Sequence, residues 1–122
     1  MPKLWEVKID SEVGKMLQGL TKQENKKFGK ALQMLKERGH DLDQFGRGEY
    51  ARVLKGTHPV TLWELRVRAG RSVLRFIYYI DKTDIIHILS GGDKRGMSEA
   101  LFYKRAIAKA ERKIDAANKR GR

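Results

Sequence analysis

The sequence contains no cysteine and only three histidines, the scattered His40, His58 and His87. Without cysteine there can be no disulfide bond, thiolate nucleophile or cysteine-ligated zinc. The scattered histidines do not form a ligand pattern, so we predict neither a metal ion nor another cofactor. No apolar run approaches the length of a membrane span, and the first residues form no signal-peptide core. A soluble, cytoplasmic protein without membrane contact is therefore expected.

The charge of the chain is strongly unbalanced. The net charge is +12, and residues 104–122 contain eight Lys/Arg and two Asp/Glu, a net charge of +6. A charge of this size favours a polyanionic partner, either nucleic acid or an acidic protein, although it also fits a merely basic surface. The 122 residues, 40% of them hydrophobic, are enough for one domain spanning residues 1–122 with a single core.

Apolar spacing in the first third predicts a strand followed by a helical hairpin. Residues 4–9 are rich in β-branched and aromatic side chains, which is typical of a strand. Apolar residues over 13–20 recur at helical spacing. Thr21 and Glu24 form a capping box that begins a second helix, and Gly39 supplies its stop signal. The two helices need a sheet to cover their apolar faces.

Three further strands are predicted in close succession, and short turns make them an antiparallel meander. They follow a glycine-rich connector over residues 39–59 that has some strand character at 50–54. The strands cover residues 62–68, 73–80 and 85–90.

A basic helix is predicted at the end of the chain. It opens at Ser98, runs to about residue 118 and places Leu101, Ile107 and Ile114 on its apolar side. Residues 119–122 are expected to be a frayed basic tail. The helix is either an arm that contacts RNA phosphates or a solvated helix whose alanines pack on the sheet, and the concentrated charge favours the arm.

The turn between the first two strands of the meander predicts their pairing. If it is centred between residues 70 and 71, Arg66 lies opposite Arg75. Both arginines then project from one face of the sheet with Glu64 and Tyr79, because side chains alternate along a strand.

The same reasoning extends to the third strand of the meander. A turn centred between residues 82 and 83 would place Ser90 beside Arg75. It would also pair His87 with Tyr78 on the face covered by the helical hairpin, where a catalytic role for His87 is not favoured.

Two arginines facing each other on a sheet require compensation, because like charges in this position are destabilising. Glu64 on the same face can supply it, giving a structural cluster without a ligand. Alternatively an anion can bind between the two guanidinium groups with the help of Lys94 and Arg95. The spacing alone leaves both interpretations open.

Four short motifs follow one another in residues 50–115, and their order and spacing resemble the RelE/HigB-type toxins of bacterial toxin–antitoxin modules. They are Leu54-Lys-Gly56, Leu62-Trp-Glu-Leu-Arg66, Leu74-Arg-Phe-Ile-Tyr78 and Asp93-Lys-Arg95. The resemblance implies an α+β, RelE-like fold: a small antiparallel β-sheet of three to five strands with an N-terminal helical hairpin on one face. A concave basic face lies opposite, and a basic helix forms the C-terminal end.

The resemblance also implies an activity. A toxin of a type II toxin–antitoxin system would cut mRNA on the ribosome, so its partners would be the ribosome, mRNA and a cognate antitoxin with an acidic segment. In this interpretation Arg75 and Arg95 stabilise the charge that develops on the scissile phosphate, and Arg66 positions it. Glu64 is a candidate base, although it is a weaker one beside two arginines. Tyr103 is a candidate acid, but it is displaced by two positions from the family's tyrosine, which aligns with Leu101.

Six further residues are predicted to bind RNA: Lys94, Tyr79, Lys104, Arg105, Lys109 and Arg112. Two other functions remain open. A ParE-like toxin would share the fold and bind DNA gyrase without nuclease chemistry. A basic nucleic-acid-binding module would have no catalytic activity at all.

Overall fold

The computed structural model describes residues 3–54, 60–94 and 96–120. Parts of the predicted connector, site and tail, namely residues 55–59, Arg95 and residues 121–122, lie outside the described residues. The elements are β1 (Glu6–Ile9), α1 (Ser11–Gln18), α2 (Lys22–Arg38), a 3₁₀ segment (Gly39–Gly48), β2 (Ala51–Leu54), β3 (Leu62–Ala69), β4 (Ser72–Ile80), β5 (Ile85–Asp93) and α3 (Glu99–Arg120).

The strands form one five-stranded sheet in the order β1-β5-β4-β3-β2. The four strands β2 to β5 pair with one another in antiparallel fashion, as predicted. The prediction of an entirely antiparallel sheet is wrong for β1, which pairs with β5 in parallel. The helical hairpin and the meander separate β1 from β5, and a connection of that length allows parallel entry.

Local signals in the sequence explain the helical hairpin. The Thr21 hydroxyl accepts a hydrogen bond from the Glu24 amide at 3.1 Å, and the Thr21 amide donates to Glu24 Oε1 at 2.9 Å. The predicted capping box is therefore confirmed. Gly39 ends α2 with a φ of 51°, and a side chain there would clash with the Trp5 ring.

Helices cover both faces of the sheet. The α1–α2 hairpin packs on one face over a core that includes Phe28, Leu35, Leu65, Phe76 and Ile88. Helix α3 packs on the other face against a second cluster, formed by Leu62, Ile77, Leu89, Phe102, Ala106, Ala110 and Ile114.

The prediction of which residues form the apolar side of α3 is partly wrong. Leu101 is 38% exposed, whereas Phe102, Ala106, Ala110 and Ile114 are buried. These four residues recur every fourth position, and the two alanines allow the helix backbone to lie close to the sheet. Helix α3 also continues to Arg120, so residues 119–120 are helical where a frayed tail was predicted. In the described part of the chain, no helix is both long and apolar enough to cross a membrane.

The predicted pairing of β3 with β4 is confirmed, because Ala69 pairs with Ser72 and Arg66 lies opposite Arg75. The two-residue turn between these strands is enabled by Gly70, whose φ is 61°. This register places the two arginines and Glu64 on the face that α3 covers.

The predicted pairing of β4 with β5 is wrong. His87 pairs with Tyr79 and not with Tyr78, so it lies on the α3 face. Asp84 has a positive φ of 65° and lengthens the turn, which shifts the register.

A β-bulge shifts the same pair of strands a second time. The register changes between Ile77 and Tyr78, whose partners are Ser90 and Ile88, and the residue between those partners is extra. Arg75 consequently pairs with Gly92 and not with Ser90. The Ser90 hydroxyl instead donates to the Ala106 carbonyl of α3 at 2.7 Å.

Candidate active site

A buried cluster of charged side chains lies on the α3 face of β3 and β4. Glu64 Oε1 is 3.3 Å from Arg75 Nε and 3.7 Å from Arg66 Nε. Glu64 and Arg75 are only 2% and 6% exposed. One carboxylate therefore faces two guanidinium groups, and the cluster as a unit is positively charged.

Helix α3 adds Tyr103 to the cluster. Its hydroxyl donates a hydrogen bond to Glu64 Oε1 at 2.9 Å. Burial and this contact with Glu64 raise the pKa of Tyr103 to about 12, so the phenol keeps its proton at neutral pH. Although it is displaced from the family's tyrosine position, Tyr103 thus reaches the same cluster as the arginines.

The cluster has more hydrogen-bond donors than acceptors. Nη1 of Arg66 and of Arg75 is buried and has no hydrogen-bond partner among the described residues, and the two Nε atoms face Glu64 Oε1 without forming a hydrogen bond. A buried donor without a partner costs about 1–3 kcal/mol. These groups could therefore bind the oxygens of an anion, and an anion there would offset this cost.

A second carboxylate, Glu99 at the start of α3, lies at the rim of the cluster. Glu99 Oε1 is 3.4 Å from Arg75 Nη2 and 3.7 Å from Lys94 Nζ, and its side chain is 63% exposed. It was not among the residues predicted from the sequence, since its position depends on the path of α3 over the sheet. Unlike Glu64, it can be reached by a ligand.

A groove of about 410 Å³ opens beside Arg75 and Lys94, and its other charged residues are Arg71 and Asp93. Gly91 helps to shape this end of the sheet. Its φ is 138°, and a side chain there would collide with the Arg75 backbone carbonyl. Arg95, predicted to act here, lies outside the described residues, so its role stays a prediction.

Two of the predicted RNA-binding residues lie away from the groove or are already paired. Tyr79 lies on the predicted face but stacks on His87, with 4.9 Å between the ring centroids, and packs against the α3 cluster. Lys109 Nζ is 2.6 Å from Glu12 Oε1 of α1. The other residues predicted on α3 are exposed: Lys104, Arg105 and Arg112.

His87 forms a separate pair with Asp81 at the β4–β5 turn, with 2.7 Å between His87 Nε2 and Asp81 Oδ2. Burial alone would raise the pKa of Asp81, but hydrogen bonds from Thr83, His87 and the Ile85 amide outweigh it and hold that pKa below its ordinary value. The pair lies four residues along β4 from Arg75, about 13 Å away at strand spacing. It stabilises the turn and does not join the charged cluster.

The arrangement of the sheet and helices identifies the fold class. The structure resembles that of the E. coli toxin RelE in the free state, in a mutant that has two arginines replaced by alanine. The TM-score is 0.57 and the sequence identity is 15%. The match covers 86% of this chain and 96% of that chain. The protein therefore has a RelE-like fold.

The sequence identifies the family. Residues 15–115 match the family described as phage derived protein Gp49-like (DUF891). The chain therefore belongs to the Gp49-like family, a family of RelE-type toxins, and the resemblance inferred from the four short motifs is confirmed. No curated relative matches the sequence well enough to add to these two comparisons.

Proposed function

We propose that this protein is the toxin of a type II toxin–antitoxin system and that it cuts mRNA on the ribosome, which stops translation. The observation that carries the proposal is the surplus of guanidinium donors in the facing pair Arg66 and Arg75, of which Arg75 lines an open basic groove. A phosphate in the groove would meet Arg75 and Lys94, the two cations that now contact Glu99. Membership of a RelE-type family supports the same assignment.

The proposed reaction is an in-line attack of a ribose 2′-hydroxyl on the adjacent phosphate. The bond from the 2′-oxygen to phosphorus forms while the bond from phosphorus to the 5′-oxygen breaks, leaving a cyclic phosphate and a 5′-hydroxyl. Negative charge builds on the non-bridging oxygens. Arg75 and Lys94 stabilise this charge and Arg66 positions the phosphate, which is the usual role of fixed cations in such a site.

Two protons must move in this reaction. Tyr103, protonated at neutral pH and oriented by Glu64, donates to the leaving 5′-oxygen. Glu64 is 2% exposed and already accepts this hydroxyl, so it acts by orienting Tyr103 and the arginines. The exposed carboxylate of Glu99 takes the proton of the 2′-hydroxyl, a role predicted for Glu64 from the sequence.

The test is cleavage mapping of a translated mRNA in a purified translation system. Wild type should cut within translated codons only when ribosomes are present, and Arg75→Ala should lose the cuts. Lys82→Ala is the matched control, because it removes the same charge from an exposed position in the β4–β5 turn. Circular dichroism would confirm that both variants fold. Intact mRNA with wild type, or equal cutting without ribosomes, would refute the proposal.

A ParE-like toxin that binds DNA gyrase is the second candidate. It is favoured by the contacts of Glu64, which compensates both arginines and also occupies the Tyr103 hydroxyl, so that the cluster can be stable without a substrate. Inhibition of purified gyrase in a supercoiling assay, with mRNA left intact, would support it. RNA binding without either activity would point to the basic module.

The proposed function implies the remaining partners. A toxin that acts on ribosomes works in the cytoplasm, and its antitoxin would present acidic residues to the basic groove. Co-expression with the neighbouring gene product and copurification would test that partnership.

A further inference from the structure

A second basic surface lies where α2 meets the end of β3 and the β3–β4 turn. It consists of Lys26, Lys27 and Lys30 of α2, Arg68 of β3 and Arg71 of the β3–β4 turn, and all five side chains are exposed. The turn borders α2, since a side chain at Gly70 would lie 3.8 Å from Gln23 Oε1. We call these five residues the α2 basic surface.

The lysines of this surface are unfavourable for the helix itself. Lys26 and Lys30 are four residues apart and Lys27 and Lys30 are three apart, and each like-charged pair costs an isolated helix about 0.2–0.5 kcal/mol. The acidic residues of α2 do not relieve this repulsion. Glu24 is bound to the Thr21 amide in the cap, and Glu37 accepts a hydrogen bond from Gln33 in the last turns.

Positive charge also converges on the neighbouring strand. A small cavity of about 160 Å³ is lined by Lys27, Lys30, Arg66 and Arg68, with Glu49 as its acidic residue. Burial, and the nearby charges of Arg52, Arg68 and Arg75, lower the pKa of Arg66, although Glu64 opposes this. The local potential is therefore positive, and the cavity presents it at the edge of β3.

Helix α3 contrasts with this surface. Lys109 is paired with Glu12, and Lys113 Nζ lies 2.8 Å from Asp10 Oδ2. Part of the charge predicted to form an RNA-contacting arm thus fixes α3 to α1. Among the described residues, none of the five cations of the α2 basic surface makes an ion pair.

We propose that the α2 basic surface binds the phosphodiester backbone of folded RNA and holds the protein on the ribosome while the groove at Arg75 receives mRNA. Its role on the ribosome rests on the proposed function. The large hydrophobic side chains that are exposed in the described structure lie elsewhere, at Leu4, Ile9, Val53 and Leu101. A surface with charge and no apolar anchor suits phosphates better than a protein partner, whose affinity comes mainly from buried apolar anchors.

The experiment measures binding of a fluorescent 20-base-pair RNA duplex by anisotropy over a range of salt concentrations. The test variant is Lys27→Gln/Lys30→Gln, and Lys8→Gln/Lys82→Gln, two exposed lysines on β1 and in the β4–β5 turn, is the control with the same loss of charge. Two lost phosphate contacts should make the slope of log affinity against log salt shallower by about 2, so that the loss of affinity is about tenfold greater at 50 mM than at 200 mM salt. The control should keep the wild-type slope.

Equal weakening by both double variants would overturn the proposal, because binding would then follow net charge alone. Unchanged duplex binding with weaker binding of poly-glutamate would also overturn it and assign the surface to an acidic protein. The mRNA cleavage assay is run in parallel. If wild type binds the duplex through these lysines without cutting mRNA, the proposed function fails and the RNA-binding surface stands. If it cuts mRNA while the Lys27/Lys30 variant binds duplex as wild type does, only the surface fails.

Discussion

Replacing Glu64 by glutamine should remove a large part of the folding stability, although the two side chains have nearly the same shape. Among the described residues, Glu64 is the carboxylate that contacts both Arg66 and Arg75. The amide of glutamine carries no charge to compensate them. Two guanidinium groups would then face each other across β3 and β4 in a site where Arg75 is 6% exposed.

The magnitude follows from the burial of the cluster. Breaking a buried ion pair by removing one partner costs about 3–5 kcal/mol. Glu99 would still contact Arg75, but with 63% of its side chain exposed it can return at most about 1 kcal/mol. We therefore expect a loss of about 3 kcal/mol, which is about a fifth to three fifths of the total stability of an ordinary domain, about 5–15 kcal/mol.

Urea unfolding followed by circular dichroism would measure this loss. The midpoint should fall by about 1–3 M for a loss of this size. Glu111→Gln on α3 is the control and should stay within about 0.5 kcal/mol of wild type. Phosphate should stabilise Glu64→Gln more than wild type, because a bound anion replaces the missing charge. A loss below about 1 kcal/mol would refute the buried cluster as described.

Three further substitutions test separate features. Glu99→Gln should slow mRNA cleavage by about 10²–10⁴-fold, because a proton acceptor is lost. RNA affinity should stay equal or rise up to about fivefold, because the repulsion between the Glu99 carboxylate and the RNA phosphates is removed. An unchanged rate would exclude Glu99 as the base. Gly91→Ala should cost about 3 kcal/mol or more in urea unfolding, since its methyl group meets the Arg75 carbonyl at a φ of 138°, and near-wild-type stability would contradict that contact. Asp81→Asn should remove the negative charge from the contact with His87. Because folding lowers the pKa of Asp81, the stabilisation by its ionised carboxylate is present above about pH 4 and disappears as the pH falls further. The difference in unfolding midpoint between wild type and variant should therefore shrink below about pH 4. A constant difference would argue against the shifted pKa.

The sequence predicts much of the sheet because turn chemistry is local. The two-residue turn at Gly70 determines the pairing of Arg66 with Arg75, and symmetry about that turn is sufficient to derive it. The next pairing could not be derived this way. Asp84 adopts a positive φ, and β5 carries a bulge, both of which depend on packing across the sheet.

The candidate site shows the same limit. Glu64, Arg66 and Arg75 could be brought together from strand alternation alone. Tyr103 and Glu99 could not, because their positions depend on how α3 crosses the sheet, and this path is determined by Phe102, Ala106 and Ala110. Alanines carry a weak periodic signal, so the apolar side of α3 was centred on Leu101 and Ile107 from the sequence.

The ion pairs between α3 and α1 have a consequence for the order in which the protein matures during synthesis. Lys113 reaches Asp10, and β1 finds its partner only in β5, so the contacts of β1 and α1 are complete only after β5 and α3 have been synthesised. Tyr103 and Glu99 join the cluster only when α3 docks. A nascent chain that has emerged only as far as β4 therefore has its two facing arginines but neither of the groups proposed to carry protons. The candidate site is therefore incomplete until α3 has been synthesised and has docked on the sheet.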